Sequence, residues 1–212
     1  MNSELSKILR QKREYASYFH FGRDKTGTEI GVVGDWLQAR YETPSSRFVS
    51  MRHLPNPCDP PDVVLTDLQG HRYGVEVTEF VDGAFVRAHA KGETNDLRLY
   101  DDEEFYRLVT ERIRRKADVP FKDASYYSRI LILYSDELAL EPAMLSNIPP
   151  VSQGYFDEIW FMIPPAACSG HIGSSNPPCR IYAVSRPNKP TPVNAPTASR
   201  FQVERPYRRV PE

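Results

Sequence analysis

Apolar and polar positions alternate over residues 62–66 and again over 72–80. A period of two residues is that of a β-strand with two distinct faces. The intervening run 67–70 supplies turn chemistry, and Gly70 is available for a positive φ. The pattern therefore predicts an antiparallel hairpin near the middle of the chain.

Three other segments are predicted to be helical, the second and third from the helical spacing of their apolar positions. A first helix is predicted from a Ser3 cap to about Tyr18, and a second over Thr28–Tyr41. A third begins at the acidic run 101–104 and ends near Ala117. Its acids come first and its basic residues last, which is the charge order that the helix dipole favours.

Further strands are predicted over 47–53, 129–135 and 156–163, and an edge-like strand over 179–185. Helices interleaved with strands in this order predict an α/β fold with a mixed central sheet flanked by helices. We expect one domain over 1–186, followed by a proline-rich, basic C-terminal extension over 187–212 that is extended or disordered.

Composition narrows the class of protein. The chain has 212 residues, 40% hydrophobic and 26% charged, which is ordinary for a globular domain. No apolar run approaches the ~18 residues of a membrane span, and the N-terminus lacks the apolar core of a secretory signal. Its 3 cysteines are scattered, which favours reduced thiols and therefore a cytoplasmic protein. The lack of a long apolar run leads us to expect no membrane partner.

Charge is unevenly spread along the chain. Residues 180–212 hold seven basic and two acidic side chains, a net of +5, which leaves −6 on the rest of a chain of net charge −1. A basic tail is compatible with phosphate contacts, although a solvated extension is the commoner explanation. The acidic body argues against a protein that coats DNA, but not against an enzyme with a carboxylate-lined metal site.

Two carboxylates of the predicted hairpin carry the strongest chemical signal. Asp62 opens the first strand, and Glu76 lies on the second between two valines, where an ionised carboxylate is costly unless it pairs or binds a metal. Two carboxylates that converge from neighbouring strands form the oxygen-rich site that Mg²⁺ prefers, completed by water and substrate phosphate. We therefore expect Mg²⁺, or Mn²⁺, at this hairpin.

The stretch Pro61-Asp62, followed on the next strand by Glu76-Val77-Thr78, resembles the PD-(D/E)XK or restriction-endonuclease-like superfamily. The resemblance implies that Asp62 and Glu76 bind metal and that Glu29, on the preceding helix, adds a third ligand. It also implies a restriction-endonuclease-like core, a nucleic-acid partner, DNA before RNA, and a homodimer as one option. For Glu29, a first-turn acid with no site role is equally compatible.

One position departs from the pattern of the superfamily. Where the motif has lysine, this chain has Thr78, which cannot supply a positive charge. Lys116, and after it Arg112, fall on the apolar side of the third helix, so either could bring a cation to the site. The alternative for both is that their long side chains extend past the core to water.

These residues predict a metal-dependent nuclease in which Asp62, Glu76 and Glu29 hold the metal, with Thr78 at the motif position and Lys116 as the cation. The main alternative is a decayed site that binds nucleic acid or a protein partner without cutting. A hydrolase of small phosphate esters is a third option. A zinc site could be assembled from Cys168, His171 and Cys179 with Cys58 or His53, although no Cys-x-x-Cys pair is present.

Overall fold

The computed structural model describes residues 25–41, 44–54, 60–94, 98–123, 125–135, 137, 140–149, 151, 154–163, 179–185 and 202–204. The predicted first helix over 3–18 and most of the C-terminal extension lie outside these residues. Within them no helix is long and apolar enough to cross a membrane.

The described residues form a central mixed sheet of seven strands, in the order β6-β5-β4-β3-β2-β1-β7. Its strands β1 to β7 are Phe48–His53, Val63–Asp67, Arg72–Glu79, Ser128–Tyr134, Glu158–Ile163, Arg180–Ser185 and Gln202–Glu204. Strands β1, β2 and β3 pair antiparallel, while β3, β4 and β5 pair parallel. The predicted α/β class with a mixed sheet is confirmed.

The predicted hairpin is β2–β3, with Val63 opposite Val75. Gly70 has φ of +82°, the left-handed conformation that glycine adopts readily. Buried Asp67 holds the turn, because its Oδ1 accepts the backbone N–H groups of Gln69 and His71. The turn thereby fixes the register on which the site depends.

The described helices, α1 to α4, are Lys25–Arg40, Gly83–Ala90, Asp102–Ala117 and Pro142–Ser146. Helix α3 matches its prediction, and Asp101 caps it by accepting the N–H of Glu104 at 2.7 Å. Helix α1 begins at Lys25, three residues before the predicted start at Thr28. Helices α2 and α4 were not predicted, because each is too short for apolar periodicity to stand out.

Two apolar layers cover the two faces of the sheet. On one face, α1 packs Val32, Val33 and Trp36 against strands β1 to β4. On the other face, α3 packs Phe105, Val109 and Ile113 in one apolar cluster with side chains of strands β2, β4, β5 and β6. Burial of these stripes positions both helices beside the β2–β3 hairpin, α1 from one side and α3 from the other.

The C-terminal extension contributes strand β7, which pairs parallel with β1 through Ser50 and Gln202. The sequence did not indicate this strand, because three residues are too few for an alternating pattern. At the opposite edge, β6 pairs only with β5 among the described residues, which agrees with its predicted edge position.

Candidate active site

The hairpin register brings the two predicted carboxylates together. Val63 pairs with Val75, so the next position outward sets Asp62 opposite Glu76. Residues opposite each other on antiparallel strands project to the same face. Both side chains are buried, with 3% of Asp62 and 5% of Glu76 exposed. The predicted proximity of the two carboxylates therefore follows from the observed strand pairing.

Asp62 is fixed by two backbone contacts. Its Oδ2 accepts the N–H of Val77 on the neighbouring strand at 2.8 Å. Its backbone carbonyl accepts the N–H of Leu54, just after β1, at 2.8 Å. These two hydrogen bonds tie Asp62 to two neighbouring segments of chain, and the one from Val77 satisfies a carboxylate oxygen whose burial alone would be unfavourable.

Lys116 brings a cation to the other carboxylate. Its Nζ donates to Oε1 of Glu76 at 2.6 Å, and 32% of the lysine side chain is exposed. A charge-assisted hydrogen bond of this length is among the stronger polar contacts in proteins. The Lys116 ammonium therefore contacts Glu76, which agrees with the interpretation that this helix brings a cation to the site. Part of the Lys116 side chain is also exposed to solvent.

Thr78 lies two residues beyond Glu76 on β3, in register with Leu133 of β4. It is buried, with 8% of its surface exposed. Alternation along the strand puts Thr78 and Glu76 on one face, as expected. The motif position therefore faces the same side as Lys116, which reaches the site from α3.

Glu29 meets the hairpin from the opposite layer. Its Oε2 lies 2.7 Å from Nε2 of His53 at the end of β1, and its Oε1 lies 3.1 Å from Nζ of Lys25. Lys25 Nζ also lies 3.5 Å from Oδ1 of Asp62. One ammonium group thus sits between the carboxylates of Glu29 and Asp62, and Glu29 itself is 4% exposed.

Sequence reasoning missed Lys25 and the pairing of His53. Lys25 lies before the predicted start of the second helix at Thr28, yet its spacing of four residues from Glu29 is the signal of a helical ion pair. His53 was considered only as a zinc ligand. Its contact with Glu29 joins residues far apart in sequence, which no local pattern reveals.

Arg112, the second predicted cation, does not contact the carboxylates in the described structure. It lies one turn before Lys116 on α3 and lines a cleft of about 240 Å³ beside the end of β3. The cleft is bounded by Phe80 and Val81, which continue the chain from the strand that carries Glu76.

A second polar cluster borders this cleft, and Asp82, Arg98 and Tyr100 of the cluster line it. Buried Glu137 accepts the backbone N–H of Asp82 at 2.9 Å, and burial raises the pKa of the Glu137 carboxyl. Burial also raises the pKa of Tyr100. Although burial acts in the opposite sense, hydrogen bonds from the N–H groups of Phe85 and Ala84 and from Arg98 hold the pKa of Asp82 below its usual range. Sequence analysis did not single out these residues.

The donor atoms fit Mg²⁺ better than zinc. Asp62 and Glu76 offer two buried carboxylates, and Mg²⁺ commonly binds one or two carboxylates with water and phosphate oxygens. Among the described residues, no group of three or more His, Cys, Asp or Glu side chains could hold a metal. The residues 58, 168 and 171 of the zinc alternative lie outside that part, and Cys179 instead contacts Asp35.

Comparison with known proteins gives no match to this chain from a family model, a curated protein or a solved structure. The functional assignment therefore depends on the geometry and chemistry of these side chains.

Proposed function

We propose that this protein is a metal-dependent nuclease of the PD-(D/E)XK type that hydrolyses phosphodiester bonds, DNA before RNA. The observation that carries the proposal is the contact between Lys116 and Glu76, with Asp62 next in register on the paired strand. Two adjacent carboxylates and a cation on one face are the minimal set for this chemistry.

Asp62 and Glu76 are the residues that would hold the metal, and Glu29 lies close enough to Asp62 to share Lys25. A bound Mg²⁺ or Mn²⁺ would lower the pKa of water and neutralise charge on the phosphodiester. The backbone contacts of Asp62 hold its carboxylate in place before substrate arrives, which reduces the reorganisation needed on binding.

In this proposal Lys116 takes the role of the lysine that the motif lacks at Thr78. Lys116, at the end of α3, has the same charge as a lysine at position 78 of β3 would have. Its 2.6 Å contact brings that charge to the Glu76 carboxylate. When substrate binds, the ammonium would stabilise the negative charge that develops on phosphate oxygens. The four-carbon stem and partial exposure give Lys116 freedom to move between Glu76 and phosphate.

A second candidate is a nuclease fold that binds nucleic acid or a protein without cutting. Thr78 favours it, because the motif lysine is missing from its usual strand. The two candidates differ in metal affinity, since a decayed site has no need to retain divalent binding.

The test is cleavage of plasmid and single-stranded DNA and of RNA with Mg²⁺ or Mn²⁺, comparing the wild type with Glu76→Gln and Asp62→Asn. These substitutions keep shape but remove one carboxylate charge. Glu103→Gln, at an exposed position in the first turn of α3, is the matched control. We expect cutting by the wild type and the control and a loss of at least 10²-fold in both site variants, as for other removed charge-stabilising groups.

Unchanged cleavage by Glu76→Gln and Asp62→Asn would exclude the proposed site. Absence of cutting, together with no divalent binding in calorimetry, would favour the binding module. Hydrolysis of a small phosphate ester without cutting of any polymer would favour a small-substrate hydrolase.

A further inference from the structure

A cleft of about 240 Å³ lies along α3 beside the carboxylate site. Its walls include Phe80 and Val81 at the end of β3 and Leu108 and Arg112 of α3. The strand that carries Glu76 leads directly to one wall, and the helix that carries Lys116 forms another. The cleft is therefore built on the same strand and helix as the candidate active site, although none of Asp62, Glu76 and Lys116 lines it.

The acidic side chains of the cleft are already neutralised. Arg98 forms ion pairs with Asp82, at 3.0 Å, and with Glu104. Arg115 pairs with Glu111 one turn earlier on α3. These contacts use two of the three arginines of the lining and all three of its acids.

Arg112 is the arginine that remains. Within the part of the chain that the structure describes, its guanidinium makes no ion pair and no side-chain hydrogen bond, and it is only half-buried. Arg112 and Lys116 are four residues apart on one helix, so their side chains project to the same side, about 6 Å apart at Cβ. A planar guanidinium with several free donors matches the oxygens of a phosphate.

We propose that this cleft is a phosphate subsite in which Arg112 binds a backbone phosphate next to the scissile one, which a metal ion held by Asp62 and Glu76 would contact. The inference rests on the proposed function, because it takes the ligand to be a polynucleotide. The recognised chemistry is a phosphodiester anion at a fixed distance from the scissile one. Phe80 and Leu108 supply an apolar wall beside it for the sugar.

The experiment measures binding of a short DNA oligonucleotide in chelator, without hydrolysis, as a function of salt. Arg112→Gln is compared with Arg114→Gln, an exposed arginine of the same helix that does not line the cleft. We expect Arg112→Gln to weaken binding about 10-fold at low salt, as for the loss of a hydrogen bond to a charged group. It should lower the slope of log affinity against log salt by about 0.7–0.9, the contribution of one phosphate contact. Arg112→Lys, which keeps the charge without the planar fork, should fall between.

Oligonucleotides with one uncharged methylphosphonate linkage locate the contact. At one position, next to the cleavage site, the neutral linkage should weaken binding to the wild type but not to Arg112→Gln. Inorganic phosphate should compete only in the wild type if the subsite takes free phosphate as well. Thermal unfolding of Arg112→Gln and Arg114→Gln confirms that both variants fold.

Equal affinities and equal salt slopes for Arg112→Gln and Arg114→Gln would overturn the subsite, as would a wild type that binds no oligonucleotide. The two proposals fail separately. Binding that depends on Arg112 without any cleavage would retain the subsite and remove the nuclease. Cleavage that depends on Glu76, with no effect of Arg112→Gln on binding, would retain the nuclease and remove the subsite.

Discussion

The Nζ of Lys116 lies 2.6 Å from Oε1 of Glu76, although 40 residues separate them in sequence. Two independent packing features bring them together. The apolar stripe of α3 fixes which side of the helix faces the sheet, and the alternation of β3 fixes which side chains face the helix. Lys116 and buried Glu76 come into contact because the helical period of α3 and the two-residue period of β3 direct both side chains into the same layer.

We expect Lys116→Met to lower the rate of DNA cleavage by about 10²–10³-fold with little change in DNA affinity, because the ammonium acts on charge that develops during reaction. Lys122→Met, at an exposed position after α3, is the control. Single-turnover cleavage and equilibrium binding separate the two effects. Full activity of Lys116→Met would show that the cation is dispensable.

The same idea can be tested by moving the lysine back to the strand. In the Lys116→Met background, Thr78→Lys places an ammonium two residues from Glu76 on the same face of β3. We expect partial recovery of the cleavage rate when thermal unfolding shows a folded protein. A folded double variant with no recovery would contradict the equivalence of the two positions.

Lys25 is expected to compete with a divalent cation. Its ammonium lies 3.1 Å from Glu29 Oε1 and 3.5 Å from Asp62 Oδ1, and 73% of its side chain is exposed. A metal that uses either oxygen has to displace it, so Lys25→Met should tighten Mg²⁺ or Mn²⁺ binding several-fold in calorimetry. Lys91→Met removes a lysine of similar exposure, 68% of its side chain, which pairs with Glu93, and serves as the control. Weaker metal binding in Lys25→Met would indicate that the lysine supports the site instead.

Much of this site could be predicted because it depends on local periodicity. Alternation in β2 and β3 gave the face shared by Glu76 and Thr78, and helical spacing gave the side of α3 that holds Lys116. Turn chemistry at Gly70 gave the hairpin, and so the register that sets Asp62 opposite Glu76. Each feature involves residues close in sequence, whose geometry is set by the backbone.

The remaining features depend on contacts between distant segments. His53 reaches Glu29 only because β1 ends beside α1, and Glu137 contacts Asp82 only because β3 and β4 end at the same edge. Strand β7 is held by pairing with β1, without an apolar pattern of its own. Such contacts follow from tertiary packing and leave no signature in a single sequence.

The N-cap of α3 is expected to stabilise the helix that carries Lys116. Asp101 accepts the N–H of Glu104 at 2.7 Å, so Asp101→Ala should lower the free energy of unfolding by about 1 kcal/mol. Asp101→Asn keeps an acceptor oxygen and should cost much less. Urea unfolding of both variants measures the difference. Equal stabilities of the Ala and Asn variants would show that the cap is not the cause.

Burial raises the pKa of Glu137 above its usual 4.5, despite hydrogen bonds from Tyr100 and from the N–H of Asp82. The folded protein therefore binds the proton more tightly than the unfolded chain does. The stabilising contribution of protonated Glu137 is complete below the unfolded pKa and is lost as pH rises through the folded pKa.

Glu137→Gln keeps a neutral side chain that can accept the Asp82 N–H at every pH. The difference in free energy of unfolding between this variant and the wild type should therefore shift in favour of Gln as pH rises above the usual pKa of 4.5, and become constant once pH exceeds the folded pKa. Urea unfolding at each pH measures it, with Glu141→Gln, an exposed position before α4, as the control for loss of one carboxylate. A difference that does not change with pH would mean that Glu137 has the same pKa in the folded protein as in the unfolded chain, because the hydrogen bonds from Tyr100 and from the Asp82 N–H offset burial.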